Sequence, residues 1–175
     1  MRTTTWKTAV TAATTLLVGA LGGGPAQASL PTAAASPDAG VAPSSCRPAN
    51  HIAEIAADAP SSGHRHYRVT LTAAPGYEPC ELAGSPTDVR FSRHGLPDGV
   101  TAGRYGSQST VVTFGPGHPV HFDIQVPSGA GGVLADEAAF TLRTPDGGVI
   151  PGESTAYGQF TVDAGTLIGP VGPGA

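Results

Sequence analysis

HYRVTLTA, residues 66–73, carries the reading that decides the fold. Tyr67, Val69, Leu71 and Ala73 alternate with His66, Arg68, Thr70 and Thr72. Successive side chains of a strand point to opposite faces, so this run has one apolar face to bury and one polar face for solvent. The stretch VHFDIQV, residues 120–126, repeats the pattern: Val120, Phe122, Ile124 and Val126 alternate with His121, Asp123 and Gln125. Pro119 and Pro127 bound it, and proline cannot donate to a ladder. Shorter alternations occur at Val89 and Phe91, at Val112 and Phe114, at Ala138, Phe140 and Leu142, and at Gly158, Phe160 and Val162, while Ile52 to Ala57 fits strand or helix equally. Turn chemistry separates them, at Pro75-Gly76, Gly84-Ser85-Pro86, Pro97-Asp98-Gly99, Gly115-Pro116-Gly117, Ser128 to Gly132 and Pro145 to Gly148. About seven short strands, each with one apolar face, must bury that face against another layer. The expected fold is all-β, an antiparallel β-sandwich.

Outward from this centre the composition changes. Residues 29–45, SLPTAAASPDAGVAPSS, show no period of 2 or 3.6 and read as a flexible Ala/Ser/Pro-rich linker. Residues 165–175, GTLIGPVGPGA, carry turn residues every few positions and read as a flexible C-terminal tail. The domain is expected over residues 46–164. Ahead of the linker, Arg2 and Lys7 precede an apolar stretch from Thr8 to Leu21, and Ala26-Gln27-Ala28 offers a small-x-small cleavage site. Residues 1–28 therefore read as a signal peptide, too short in its apolar part to span a bilayer. The expected location is extracellular, with no membrane attachment after cleavage.

Charged residues make up 13% of the 175-residue chain, about half the usual share of roughly a quarter. The net charge is −4, and after residue 28 there are seven arginines, no lysine and all 13 acidic residues. That balance argues against a phosphate-binding surface, so no nucleic-acid partner is expected. A monomer is expected.

The two cysteines, Cys46 and Cys80, form an even pair in a chain expected to reach an oxidising compartment, and are expected to be joined. A pair 34 apart supplies neither C-x-x-C nor a zinc framework. The run Gly63-His64-Arg65-His66-Tyr67, the segment Cys80-Glu81-Leu82-Ala83-Gly84-Ser85-Pro86 and Gly115-Pro116-Gly117 ahead of Val120 together resemble an actinobacterial family of exported domains, the domain of unknown function 4232. The resemblance implies an immunoglobulin-like sandwich, a Cys46–Cys80 disulfide and no assigned activity. The chain departs from the family pattern at Ala73-Ala74, where Thr-Asn is frequent, and at Ser85, where an aromatic is frequent. It also lacks a second cysteine pair.

Histidines are the main chemical candidates. His64 and His66 lie two apart on a strand, as do His121 and Asp123, and so share a face. His64 with His66 is the candidate site for copper or zinc. The competing reading makes these pairs the solvated faces of half-buried strands, and nothing in the sequence brings the two pairs together. His51, His94 and His118 read as surface residues in loops or at strand ends. Gly152-Glu153-Ser154-Thr155-Ala156 approaches the G-x-S-x-G elbow without its last glycine or its strand-to-helix setting. Gly129-Ala130-Gly131-Gly132 lacks the Lys-Ser or Lys-Thr of a phosphate loop. No catalytic residue and no cofactor is expected. The sequence reading is a non-enzymatic secreted module that binds a cell-wall polymer or an extracellular protein, with histidine-mediated copper or zinc binding as the alternative.

Overall fold

The apolar faces read from the sequence meet in one core. The structure, a computed structural model, describes residues 43–61, 63–129 and 131–175; the expected signal peptide and the first part of the linker, to residue 42, lie outside the described residues. A single 3-10 turn at Pro48–Asn50 leads into β1 (His51–Ser61), and Ala53 and Ile55 face inward, so Ile52 to Ala57 is strand. There follow β2 (His64–Ala73), β3 (Cys80–Ala83), β4 (Thr87–Arg93), β5 (Leu96–Pro97) and β6 (Gly103–Arg104). The second half holds β7 (Val111–Phe114), β8 (Val120–Pro127), β9 (Val133–Thr141), β10 (Ser154–Val162), β11 (Leu167–Ile168) and β12 (Gly172–Pro173).

Most of these strands belong to one long sheet, in the order β5-β4-β9-β10-β1-β2-β8-β11-β6, with β12 also on β8. Four strand spacings separate β9 from β8, about 19 Å in a flat sheet. Yet Phe140 of β9 and Phe122 of β8 meet edge to face with ring centroids 4.9 Å apart. The sheet must therefore curl until its two halves face each other. The layers of the expected sandwich are two halves of one sheet, joined through β10, β1 and β2. Phe122 and Phe140 are fully buried between them with Phe91, Phe114 and Leu71. A separate ribbon of β3 and β7 adds Leu82, Val112 and Phe114 to the same core.

The pairing is mainly antiparallel, with two exceptions: β1 runs parallel to β10 and β6 parallel to β11. The expected antiparallel arrangement holds elsewhere, and these two pairs are parallel because the chain makes long crossings between those strands instead of hairpins. The bond between Cys46 and Cys80 spans Cα atoms 6.0 Å apart and ties the approach to β1 to the start of β3.

Both expected domain edges move outward. Ser44 bridges Glu78, and Ser45 is fully buried, so the last linker residues are part of the fold. The expected flexible tail is paired: Ile168 lies opposite Ile124 of β8 and Pro173 opposite Val120. Ile168 and Val171 are buried. The physical reason is that β8 has an edge left open beyond β2, and this segment supplies both ladder hydrogen bonds and apolar cover. Its glycines and prolines mark the bends between short pairings.

Candidate functional site

Two stretches of surface stand out, one at each end of the β1–β2 hairpin. Near its turn, the polar face of β2 meets that of β8. His66 lies opposite Gln125, and Arg68 opposite Asp123. Asp123 is thus the diagonal neighbour of His66, within reach of a long side chain. His66 Nδ1 lies 2.6 Å from Asp123 Oδ2. A carboxylate only accepts, so Nδ1 carries the proton in this bond and, in the neutral ring, Nε2 is left as an acceptor. Ser61 Oγ sits 2.7 Å from that Nε2.

A bulge sets the position of Ser61. Asp58 pairs with His66 and Ser61 with His64, so Ala59 and Pro60 stand opposite the single Arg65. Regular alternation from Ile55 would turn Ser61 inward, but the extra residue inverts the parity and brings Ser61 to the outer face with His66. From the chain after β6, Tyr105 donates its phenol proton to Asp123 Oδ2 at 2.8 Å. Partial burial and the bond to Asp123 push the Tyr105 phenol far above its ordinary value, so it remains a donor. Beside the cluster Arg68 pairs with Asp58 at 2.8 Å. The Ala59 amide first, and then Arg68, hold the Asp58 carboxyl below the usual range.

Both ring nitrogens of His66 are engaged by Ser61 and Asp123. The His64 and His66 rings lie 6.4 Å apart between centroids. Among the described residues, no group of three or more His, Cys, Asp or Glu side chains is placed to hold a metal ion. His121, two residues before Asp123, turns instead to the Gly174 carbonyl at 3.1 Å.

At the other end of the hairpin a groove of about 310 Å³ opens between the 3-10 turn and the last residues of β2. Its walls include Ala49, Ile52, Ala73, Pro75 and Tyr77, with Asn50, His51 and Thr72 supplying polar groups. Ile52 is 64% exposed there. His51, expected at the surface, is half-buried: its ring packs edge-on to Phe114, Nδ1 meets the Ser45 carbonyl at 2.9 Å and Nε2 meets Ser154 Oγ at 2.9 Å. Burial lowers the pKa of the ring, partly offset by hydrogen bonds to Ser45 and Arg47.

Ser154, the serine of the near-elbow motif, is buried at the start of β10, where no substrate reaches it. His94 pairs with Asp136 at 3.0 Å on the surface. Ser61, Asp123 and Tyr105 were not legible as partners of His66, because only the β2–β8 pairing and the bulge at Ala59 and Pro60 bring them together. The adjacent polar faces of β2 and β8 were the available signal.

Comparison with curated proteins and with solved structures returns no match. The family model Domain of unknown function (DUF4232) matches residues 46–168, from the first cysteine of the disulfide to the inward-facing end of β11. The chain, with its single disulfide and curled sheet, belongs to that family.

Proposed function

We propose that the protein is a secreted recognition module, and that the groove beside Ile52 takes an uncharged, apolar segment of another extracellular protein. The observation that carries this reading is the groove's lining: none of its residues bears a fixed charge, and an exposed isoleucine and a tyrosine flank it. Small pre-formed sites are apolar with a few polar groups that set orientation. Asn50, His51 and Thr72 fit that second role. A cell-wall polymer is the other partner class, and one that carries negative charge would find no fixed cation in this lining.

Secretion belongs to the same proposal. It is supported by the disulfide, which persists in oxidising compartments, and by the leader-like residues 1–28. Among the described residues, no helix is long and apolar enough to cross a membrane.

An array of short apolar peptides, probed with the purified protein beside a cell-wall sedimentation assay, tests the reading. Binding to uncharged apolar peptides that Ile52→Asp abolishes is the expected result. Retention on cell wall that Ile52→Asp leaves unchanged, with no peptide bound, would overturn it.

A further inference from the structure

The groove leaves the opposite end of the hairpin without a role. We infer that Ser61 is a nucleophile toward short-chain carboxylic esters, with His66 as its base and Asp123 orienting the imidazole. The inference goes beyond the recognition reading and does not rest on it. Ser61 and Ile52 lie nine residues apart on β1, roughly 30 Å at ~3.3 Å per residue.

Three contacts carry it. Ser61 Oγ lies 2.7 Å from His66 Nε2, and His66 Nδ1 lies 2.6 Å from Asp123 Oδ2. A serine hydroxyl is a weak nucleophile until an adjacent base takes its proton, and the base works best when a third group holds its tautomer. That is the order found here. The third contact is the phenol of Tyr105 on the same carboxylate oxygen at 2.8 Å, which fixes Asp123 from a second direction. Ser61 is open to solvent, while the His66 and Asp123 side chains behind it are 18% and 25% exposed. Local sequence supports the geometry, because the bulge at Ala59 and Pro60 is what turns Ser61 onto the face of His66.

The open setting selects the substrate. Ser61 sits exposed at the end of β1 beside the hairpin turn, so an ester that needs no deep acyl pocket, such as an acetyl ester, can reach it from solution. In the reaction, Ser61 Oγ forms a bond to the carbonyl carbon as its proton passes to His66 Nε2. The bond from that carbon to the alcohol oxygen breaks, and the alcohol leaves with the proton. Water then attacks the acyl-serine and gives a proton to His66. Ser61 Oγ departs with it, so the net change is ester plus water to acid plus alcohol.

The test uses the purified protein with its disulfide formed, 4-nitrophenyl acetate as substrate and a fluorophosphonate as covalent probe, with peptide mapping of the labelled residue. The expected result is turnover and labelling at Ser61, both lost in Ser61→Ala. His66→Gln is expected to lower the rate at least about 100-fold, the lower end for removal of a general base. Asp123→Asn is expected to lower it as well, by leaving the imidazole in the wrong tautomer. No label, label at another serine, or turnover that survives Ser61→Ala would overturn the inference. If His66→Gln fails to fold, Ser61→Ala still decides, because it removes only an exposed hydroxyl.

Discussion

His51 shows how one side chain couples the fold to pH. Its ring lies against Phe114 and bonds to the Ser45 carbonyl and the Ser154 hydroxyl, with no charged partner in those contacts. Burial lowers its pKa from the ordinary 6.5. In the window between that value and the lower folded one, the unfolded chain binds more protons, so stability falls as the pH falls. The contribution is complete above about 6.5 and is lost on acidification. Thermal melts at pH 7 and pH 5 should show a drop in Tm that is smaller in His51→Gln, where nothing titrates at this position. An equal drop in both proteins would mean that His51 does not carry the effect. The same residue marks a limit of sequence reading. A histidine at a strand end has no periodic partner to reveal whether it faces water, and only the packing of β7 and β10 around it turns it inward.

At the scale of the element, irregularities decide more than regular strands do. Gly158 and Gln159 of β10 stand opposite the single Asp136 of β9, and there β10 passes so close to β1 that a Cβ on Gly158 would lie 2.2 Å from the Ile55 carbonyl oxygen. Gly158→Ala should therefore force the parallel β1–β10 pair apart and cost roughly 1–3 kcal/mol or more, as overpacking does, measured as a shift of the urea midpoint. A change within ~0.5 kcal/mol, the range of a neutral surface substitution, would contradict it. The β4–β5 hairpin turns at His94-Gly95, where both residues have positive φ, 52° and 75°. That is the geometry of the tight turn whose twist matches its flanking strands, and it adds to the bend expected at Pro97-Asp98-Gly99, where Pro97 pairs with Ser92, the Val100 amide donates to Asp98 Oδ1 and Gly99 has a φ of 78°. The paired tail is a third case. Removing residues 166–175 takes away Ile168 and Val171, each a side chain whose burial is worth about 1.5–3 kcal/mol, and uncovers the edge of β8. The truncated protein should melt at lower temperature and bind a hydrophobic dye. An unchanged Tm would show the tail to be dispensable.

For the whole molecule the disulfide is the chief covalent constraint. It closes a loop of 34 residues in sequence separation between Cys46 and Cys80, which removes unfolded-state entropy worth roughly 4 kcal/mol in the chain-entropy model, less any strain. Against a typical total of 5 to 15 kcal/mol, that is a large share. Reduction, or Cys46→Ser with Cys80→Ser, should lower the unfolding free energy by about 2–4 kcal/mol, read from urea titrations with and without reductant. Coincident titrations would deny the bond its role.

What the sequence determined by itself was local. Alternation at residues 66–73 and 120–126 set which side chains are buried, because strand parity depends only on the chain's own pleat, and the cysteine count specified the bond. What only the tertiary structure decided was every relation between distant segments. The parallel β1–β10 pair, the curl that brings Phe122 onto Phe140, the pairing of β11 and β12 with β8 and the line from Ser61 through His66 to Asp123 all depend on which strand edges pair. That choice is made by the summed burial of whole faces, and no short window of sequence contains it.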